Sequence, residues 1–481
     1  MQSIEQLNYI STYYELGRAF GSQVNPTPLQ SPYLIHANHG LAKRLGISLD
    51  NPQPLIELFS GQQQLPKWHP LAMKYTGHQF GHYNPDLGDG RGLLLSEFID
   101  RNNNKWDMHL KGSGKTPYSR SGDGRAVIRS SVREYLVSAA MQGLGIETTQ
   151  ALALIGSKTE VEREDIEYAA TLLRIAPTHI RFGHFEYLFY SGQSHLISGL
   201  VEHLLRWHLP HLSERQNKYE LFYKAVISNT ATMLAKWQAY GFYHGVMNTD
   251  NMSILGQTLD YGPFAFMETY DPGFSANHSD YEGRYVFHRQ PAVAHWNLSA
   301  LGYALSSLID KEIIESALQD YPQQLQLHYT QLMCQRFGLT TTQTSDSDML
   351  NRCLTLMQSH KLDYHYTLRR LSELDYAQWY AQSDWQHPNW ITWLKQYQHR
   401  LEQDHLSDSE RQQTMCAVNP RYLLRTHLAQ QAIDEVEAGN FGIIEQWLQV
   451  LSDPFVEHPC HSDWALPNHN NNQGIILSCS S

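Results

Sequence analysis

Asp250 and Asn251 stand side by side in HGVMNTDNMSIL (His244–Leu255), and nine residues past Asn251 the stretch LDYGPF supplies Asp260, followed by an aromatic residue and a glycine. An amide oxygen and a carboxylate at that distance can share a Mg²⁺ that bridges nucleotide phosphates. Adjacent loop residues point in different directions, so Asp250 can face a nucleophile while Asn251 faces the metal. That makes Asp250 the candidate general base. Three glycine clusters add phosphate-handling chemistry: LGDGRGLLLSEF (Leu87–Phe98), HLKGSGKTPYSR (His109–Arg120) and SGDGRAVIRSSVREYL (Ser121–Leu136). In the first, Gly88 and Gly90 let the backbone approach a phosphate with its N–H groups turned inward, and Arg91 adds a rigid fork of donors. Asp123 and Gly124 in the third form a second backbone approach point. The GKT of the second cluster is not a P-loop, because that motif needs a glycine five residues before Gly114 and His109 stands there.

These groups need elements to hold them. WDMHLKG alternates in the manner of a strand and ends in Lys111, where the strand lysine of a kinase sits. Such a lysine reaches nucleotide phosphates when a carboxylate from a neighbouring helix steadies it. The helix-type segment AVIRSSVREYLVSAAMQ sets Val132, Tyr135, Leu136 and Ala139 on one side and offers Glu134 as that partner; the alternative is that Glu134 pairs with Arg129 or Arg133 on a solvated face. HGVMNTDN follows the catalytic loop of small-molecule kinases, His-Gly-Asp then four residues and Asn, except that Val246 replaces the aspartate. A valine accepts no proton, and the missing carboxylate reappears as Asp250. The apolar MSIL after it reads as a strand leading to Asp260.

The chain has 481 residues, 41% of them hydrophobic, enough for one large core or two ordinary ones. A net charge of −12 argues against nucleic acid as a partner, no basic start precedes an apolar leader, and no run approaches the ~18 apolar residues of a membrane span. Five scattered cysteines do not form a disulfide scaffold, and the expected compartment is the cytoplasm. Glycines concentrate between Gly77 and Gly124, so chemistry is expected early, whereas LGYALSSLIDKEIIESALQDY and PRYLLRTHLAQQAIDEVEAG carry the periodicity of core helices, with Gly439 as a stop. The tryptophans between Trp379 and Trp393 read as packing in a helical region. From His458 the chain turns polar and reads as loosely ordered, and His458, Cys460 and His461 fall short of a four-ligand zinc set.

Taken together, GHQFG (Gly77–Gly81), LGDGRG, HLKGSGKTPYSRSGDGRAVIRSSVREYL, HGVMNTDNMSILGQTLDYGPF, NHSDYEGRYVF (Asn277–Phe287), QPAVAHWNL (Gln290–Leu298) and NPRYLLR (Asn419–Arg425) resemble the selenoprotein O family over nearly the whole chain. Those are kinase-like proteins that transfer AMP from ATP to protein hydroxyls, with the nucleotide flipped so that its α-phosphate lies near the base. The resemblance implies an α+β, bilobal protein-kinase-like fold with an extended helical C-terminal region, divided as 1–140, 141–300 and 301–481. It implies ATP contacts from Gly88, Gly90, Arg91, Lys111, Asp123, Gly124, Arg174, Arg181 and Asp260, with Glu134 as the partner of Lys111. Mg²⁺, with Mn²⁺ as the alternative ion, would lie on Asn251 and Asp260. Its protein partners are hydroxyl-bearing Ser, Thr or Tyr substrates, this chain among them, without nucleic acid or membrane. Cys479 matches the family's selenocysteine or cysteine three residues from the end, while Ala276 stands where some members carry a second cysteine. Two other readings stay open: a protein kinase whose base is displaced to Asp250, and an ATP-binding regulator without catalysis. The choice between ATP and UTP, and so between AMP and UMP, is open too.

Overall fold

Strand Gly92–Ile99 leaves the first glycine cluster buried almost continuously, Ser96 and Glu97 included, because both of its faces are covered. It lies in an antiparallel sheet; the computed structural model describes residues 1–468, 475 and 477, and Cys479 lies outside them. Among the described residues the main path of the sheet runs Gly21–Gln23, Leu71–Met73, Gly92–Ile99, Lys105–Lys111, Ile166–Ala176, Gln150–Glu162, Tyr33–Ala37. The strand predicted to carry Lys111 is therefore central. Its register sets Arg174 opposite His109 and Leu172 opposite Lys111. Because side chains alternate, His109, Lys111 and Arg174 project from one face. Met108, Leu110, Leu173 and Ile175 project from the other, where they pack with Leu41, Leu45, Leu55 and Phe59 of two short helices, His39–Leu45 and Gln53–Phe59.

Helix Ile128–Gly143 covers the Lys111 face. The sequence predicts one apolar side for it; instead it is buried nearly all round, and Ala139 of the expected stripe is only half-buried. The reason is a second covering layer. Helices Thr426–Glu437 and Gly442–Ser452 return from the far end of the chain and bring Ile433, Val436, Trp447 and Leu451 into one core with Val132, Tyr135 and Leu136. The approach is so close at Gly143 that a Cβ there would sit 1.8 Å from the Leu451 carbonyl oxygen.

Helices Phe182–Tyr190, Lys218–Ala239, Gln290–Ala304 and Lys311–Arg336 form the body beneath the sheet. The predicted helix over LGYALSSLIDKEIIESALQDY is broken between Ala304 and Lys311. Strands Phe242–Tyr243 and Ala265–Phe266 pair at the base of the loop that carries Asp250 and Asp260. MSIL is not a ladder strand: Ser253 makes a lone bridge to Arg181, and that bridge fixes Arg181 beside the loop. The tryptophan-rich segment packs as predicted, with Trp379, Trp385, Trp390 and Trp393 in a separate helical core. The start of the polar tail is folded rather than loose, since Trp464 stacks on Trp447 at 3.9 Å between ring centres. In the same segment the His458 ring meets the Asp453 carbonyl and the His461 ring stacks on Trp464. The sheet extends through Ala176, so a division of the chain at residue 140 would separate hydrogen-bonded strands. Among the described residues no helix is long and apolar enough to cross a membrane.

Candidate active site

A cleft of about 650 Å³ opens between the sheet and the 242–266 loop, and Gly88, Gly90, Arg91, Lys111, Asp123, Gly124, Arg174, Arg181, Asp250, Asn251 and Asp260 all line it. Glu134 lies behind this surface as the link between strand and helix. Its carboxylate binds Lys111 Nζ at 2.5 Å and Arg174 Nε at 2.5 Å. Arg129 and Arg133, the alternative partners, go elsewhere, to Glu167 and to the Phe264 carbonyl. Arg174 continues to Asp260 Oδ1 at 2.8 Å, and Arg181 binds Asp260 Oδ2 as well as the Asp250 carbonyl oxygen at 2.9 Å. Charges therefore alternate along Lys111, Glu134, Arg174, Asp260 and Arg181. Burial and the neighbouring Arg91 and Arg174 pull the Lys111 ammonium down to about 8, against the attraction of Glu134. Burial opposes ionisation of Glu134, yet Arg174 and Lys111 hold it down at about 2. Asp260 is half-buried and likewise kept ionised, by Arg181 and then Arg174. It adopts φ +57°, a left-handed conformation unusual for a non-glycine residue.

Asp250 sits in a short 3₁₀ turn, Thr249–Asn251, and is buried. Burial pushes its carboxyl up to about 7, with Arg181 pulling the other way. Gln79 Nε2 donates to Oδ2 at 3.4 Å, while Oδ1 accepts from no described residue. Gly77 makes room for it: a Cβ there would lie 2.7 Å from Oδ1. Asn251 donates its amide Nδ2 to the Val246 carbonyl at 3.1 Å, which leaves its amide oxygen for another partner. The residue that cannot act as a base thus orients one that can hold a metal. His244 anchors the start of the loop, its Nε2 meeting the Leu259 carbonyl at 2.9 Å.

Several contributors escape sequence reasoning. Asp89, between the two loop glycines, is buried and accepts from Met73 N, the Tyr75 hydroxyl and His109 Nε2, so it pins the phosphate-type loop to the sheet. Arg163, at the turn between strands Gln150–Glu162 and Ile166–Ala176, holds Asp123 with two hydrogen bonds, at 2.8 and 3.2 Å. Buried Glu186 accepts from the Thr249 hydroxyl at 2.5 Å and meets His78 Nδ1 at 2.7 Å, and His78 N donates to the same hydroxyl at 2.7 Å. The only sequence signal for these is the unexplained GHQFG around His78 and Gln79. At Gly124, φ is +72° and a Cβ would lie 2.1 Å from the Gly114 carbonyl oxygen, which accounts for glycine there.

The arrangement brings a buried carboxyl group, two oxygen donors and several cations to one cleft, and comparisons with known proteins place the chain in a family. The family model described as protein adenylyltransferase SelO matches residues 3–452. A protein named protein nucleotidyltransferase YdiU from Photobacterium profundum is 47% identical over 517 residues, covering 100% of both chains. Proteins of the same name from Aliivibrio salmonicida and Vibrio cholerae are 47% identical with 99% of each chain covered and 48% identical with 97% of each covered. With the family match running over almost its whole length, this chain belongs to the SelO family of protein adenylyltransferases.

Proposed function

We propose that this protein transfers AMP from ATP to Ser, Thr or Tyr hydroxyls of other proteins and releases pyrophosphate. The observation that carries the reading is Asp250: a buried carboxylate with one unclaimed oxygen and a raised pKa, next to Asn251 and within the reach of the Arg181 guanidinium that also holds Asp260. Asp250 takes the proton from the acceptor hydroxyl as it attacks the α-phosphorus. Arg181, Arg174, Lys111 and Arg91 neutralise the phosphate chain, and Glu134 keeps Lys111 charged by supplying a carboxylate in a place where a lone ammonium would lose its proton. The backbone at Gly88, Gly90 and Gly124 comes close to phosphate oxygens, and Asp123, oriented by Arg163, fixes the second of these turns. The flipped nucleotide explains Val246, because a carboxylate there would face the wrong phosphate.

The donor set suits a hard cation: the free amide oxygen of Asn251 and the ionised carboxylate of Asp260 are oxygen ligands, as Mg²⁺ or Mn²⁺ requires. When bound, the ion supplies positive charge to the α-phosphate and the leaving pyrophosphate. The sheet with its covering helix and the helical body beneath correspond, in this reading, to the two lobes of a kinase-like fold, with the first lobe extending through Ala176. Cys479 is a candidate redox position of the tail.

Position-specific labels test the reaction. With α-labelled ATP the acceptor protein gains label, and with γ-labelled ATP the label leaves as pyrophosphate. Label retained from the γ position alone would make this a kinase with a displaced base, and nucleotide binding without any transfer would make it a regulator. Replacing ATP with UTP in the same assay decides between AMP and UMP.

A further inference from the structure

Among the described residues seven aromatic side chains are exposed, and four of them, Phe80, Tyr190, Trp296 and Tyr303, are linked to one another beside the Asp250 loop. They form a connected strip. Phe80 packs on Tyr285 at 5.2 Å, Arg284 lies over Tyr285 and over Trp296, and the His78 ring meets Trp296 at 5.1 Å and Tyr190 at 6.0 Å. Phe189 then joins Tyr190 to Tyr303, at 5.2 and 5.0 Å. Tyr281, 94% exposed, stands in the turn that Asp280 ties to the backbone of Arg284 and Tyr285.

The strip is built on the hairpin Gly77–Gln79 with His82–Asn84, and this hairpin is bonded to the catalytic loop. His78 reaches Thr249, Gln79 reaches Asp250, and Phe80 N donates to the Tyr285 hydroxyl, which donates to Asn248 at 2.5 Å. Phe80 holds φ +51°, a conformation that disfavours any residue with a Cβ, while the residue is 39% exposed. Turn positions of that kind usually carry Gly or Asn, so a strained and displayed phenylalanine points to a role in recognition. Trp296 is anchored equally well, since the next residue, Asn297, donates to the Met247 carbonyl at 2.9 Å.

We infer that this aromatic strip is the docking surface for the acceptor polypeptide, and that it selects hydroxyls flanked by apolar or aromatic side chains. The inference rests on the transferase reading above, which requires a protein segment to bring a hydroxyl to the Asp250 carboxylate. The cation-lined side of the cleft suits the triphosphate, and the strip is continuous with the opposite side through Gln79 and His78. Tyrosine and tryptophan offer large contact area at low conformational cost, and the tyrosine hydroxyls can pair with the backbone of an extended segment. A free phosphate or nucleotide finds little there, because Arg284 is the one cation within the strip and already lies over two rings.

Two dye-labelled peptides test this with the full chain: one with Leu and Phe flanking a central Ala, the other with Gly and Asp in those positions. In fluorescence anisotropy the apolar peptide is expected to bind the tighter, and Trp296→Ala and Tyr303→Ala each to weaken it by about tenfold or more, as hot-spot aromatics do. ATP binding by calorimetry should stay within about twofold in both variants, and serine versions of the peptides should show the same loss as a raised KM with unchanged kcat. Equal binding of the two peptides, or variants that bind like the wild type, would overturn the inference. So would a dimer in solution that Trp296→Ala dissociates, since a second copy would then be the occupant. Tight, strip-dependent binding without transfer of α-label would leave the docking surface standing and sink the transferase reading.

Discussion

Asp250 has one oxygen, Oδ1, packed against Gly77 and the other in reach of Gln79, and its carboxylate lines the cleft, which fixes what its replacement does. Asp250→Asn keeps the shape and the hydrogen bond from Gln79 and removes the base, so transfer should fall by ~10² to 10⁴ while ATP still binds by calorimetry. Adding an aspartate at Val246 in that background should not restore transfer. The pH dependence has a definite sign. Burial raises the carboxyl to about 7, and the base acts only when deprotonated, so the rate should fall as pH drops through its working pKa. A cation on Asn251 and Asp260 favours the carboxylate, so increasing Mg²⁺ should move this acid limb to lower pH; a limb that ignores metal concentration would contradict the placement. Gly77→Ala offers a separate check. Its Cβ, 2.7 Å from Oδ1, must displace the carboxylate, and kcat should drop with little change in the KM for ATP.

Helix Ile128–Gly143 is the element on which the cation side of the cleft depends. Glu134→Gln leaves Lys111 and Arg174 buried without their shared counter-charge; breaking such a pair costs about 3–5 kcal/mol, so both thermal stability and ATP affinity should fall. Lys111→Ala should weaken ATP binding with the smaller stability loss, because Glu134 keeps Arg174. Differential scanning calorimetry and ATP titration of the two variants would separate these. The pair was legible in the sequence: an alternating segment ending in lysine and a helical repeat carrying a glutamate are local patterns. So were Asp250, Asn251 and Asp260, whose spacing lies within one loop. Asp89 was hidden among glycines that drew the eye to backbone chemistry. Arg163, forty residues from Asp123, and Glu186, sixty-three from Thr249, were not legible, since no periodicity records a contact across that separation. The same holds for the all-round burial of the helix, whose outer face is apolar because of segments near residue 450 rather than anything nearby. The MSIL segment failed as a strand for a related reason: with one bridge partner, its apolar residues pack inward instead of joining a ladder.

Across the whole molecule, segments more than 280 residues apart in the chain meet at that helix. Gly143→Val would drive a side chain into the Leu451 carbonyl, and overpacking of this kind costs about 1–3 kcal/mol; the thermal midpoint should fall and ATP affinity with it, although no nucleotide contact is touched. A chain ended after Arg425 lacks both covering helices, and hydrogen exchange should find Ile128–Gly143 unprotected, together with loss of ATP binding. The order of synthesis gives this packing a further meaning. Glu134 leaves the ribosome long before Trp447 and Leu451 exist, and at ~5–20 residues per second the intervening stretch of about three hundred residues takes roughly 15–60 s. Asp250, Asn251 and Asp260 are made part-way through that interval, well before the two helices that pack against Ile128–Gly143. For an enzyme that modifies proteins, the expected consequence is that a nascent chain gains its triphosphate affinity only after these late helices have packed, a delay that ribosome-bound chains halted before and after residue 452 should show in ATP binding.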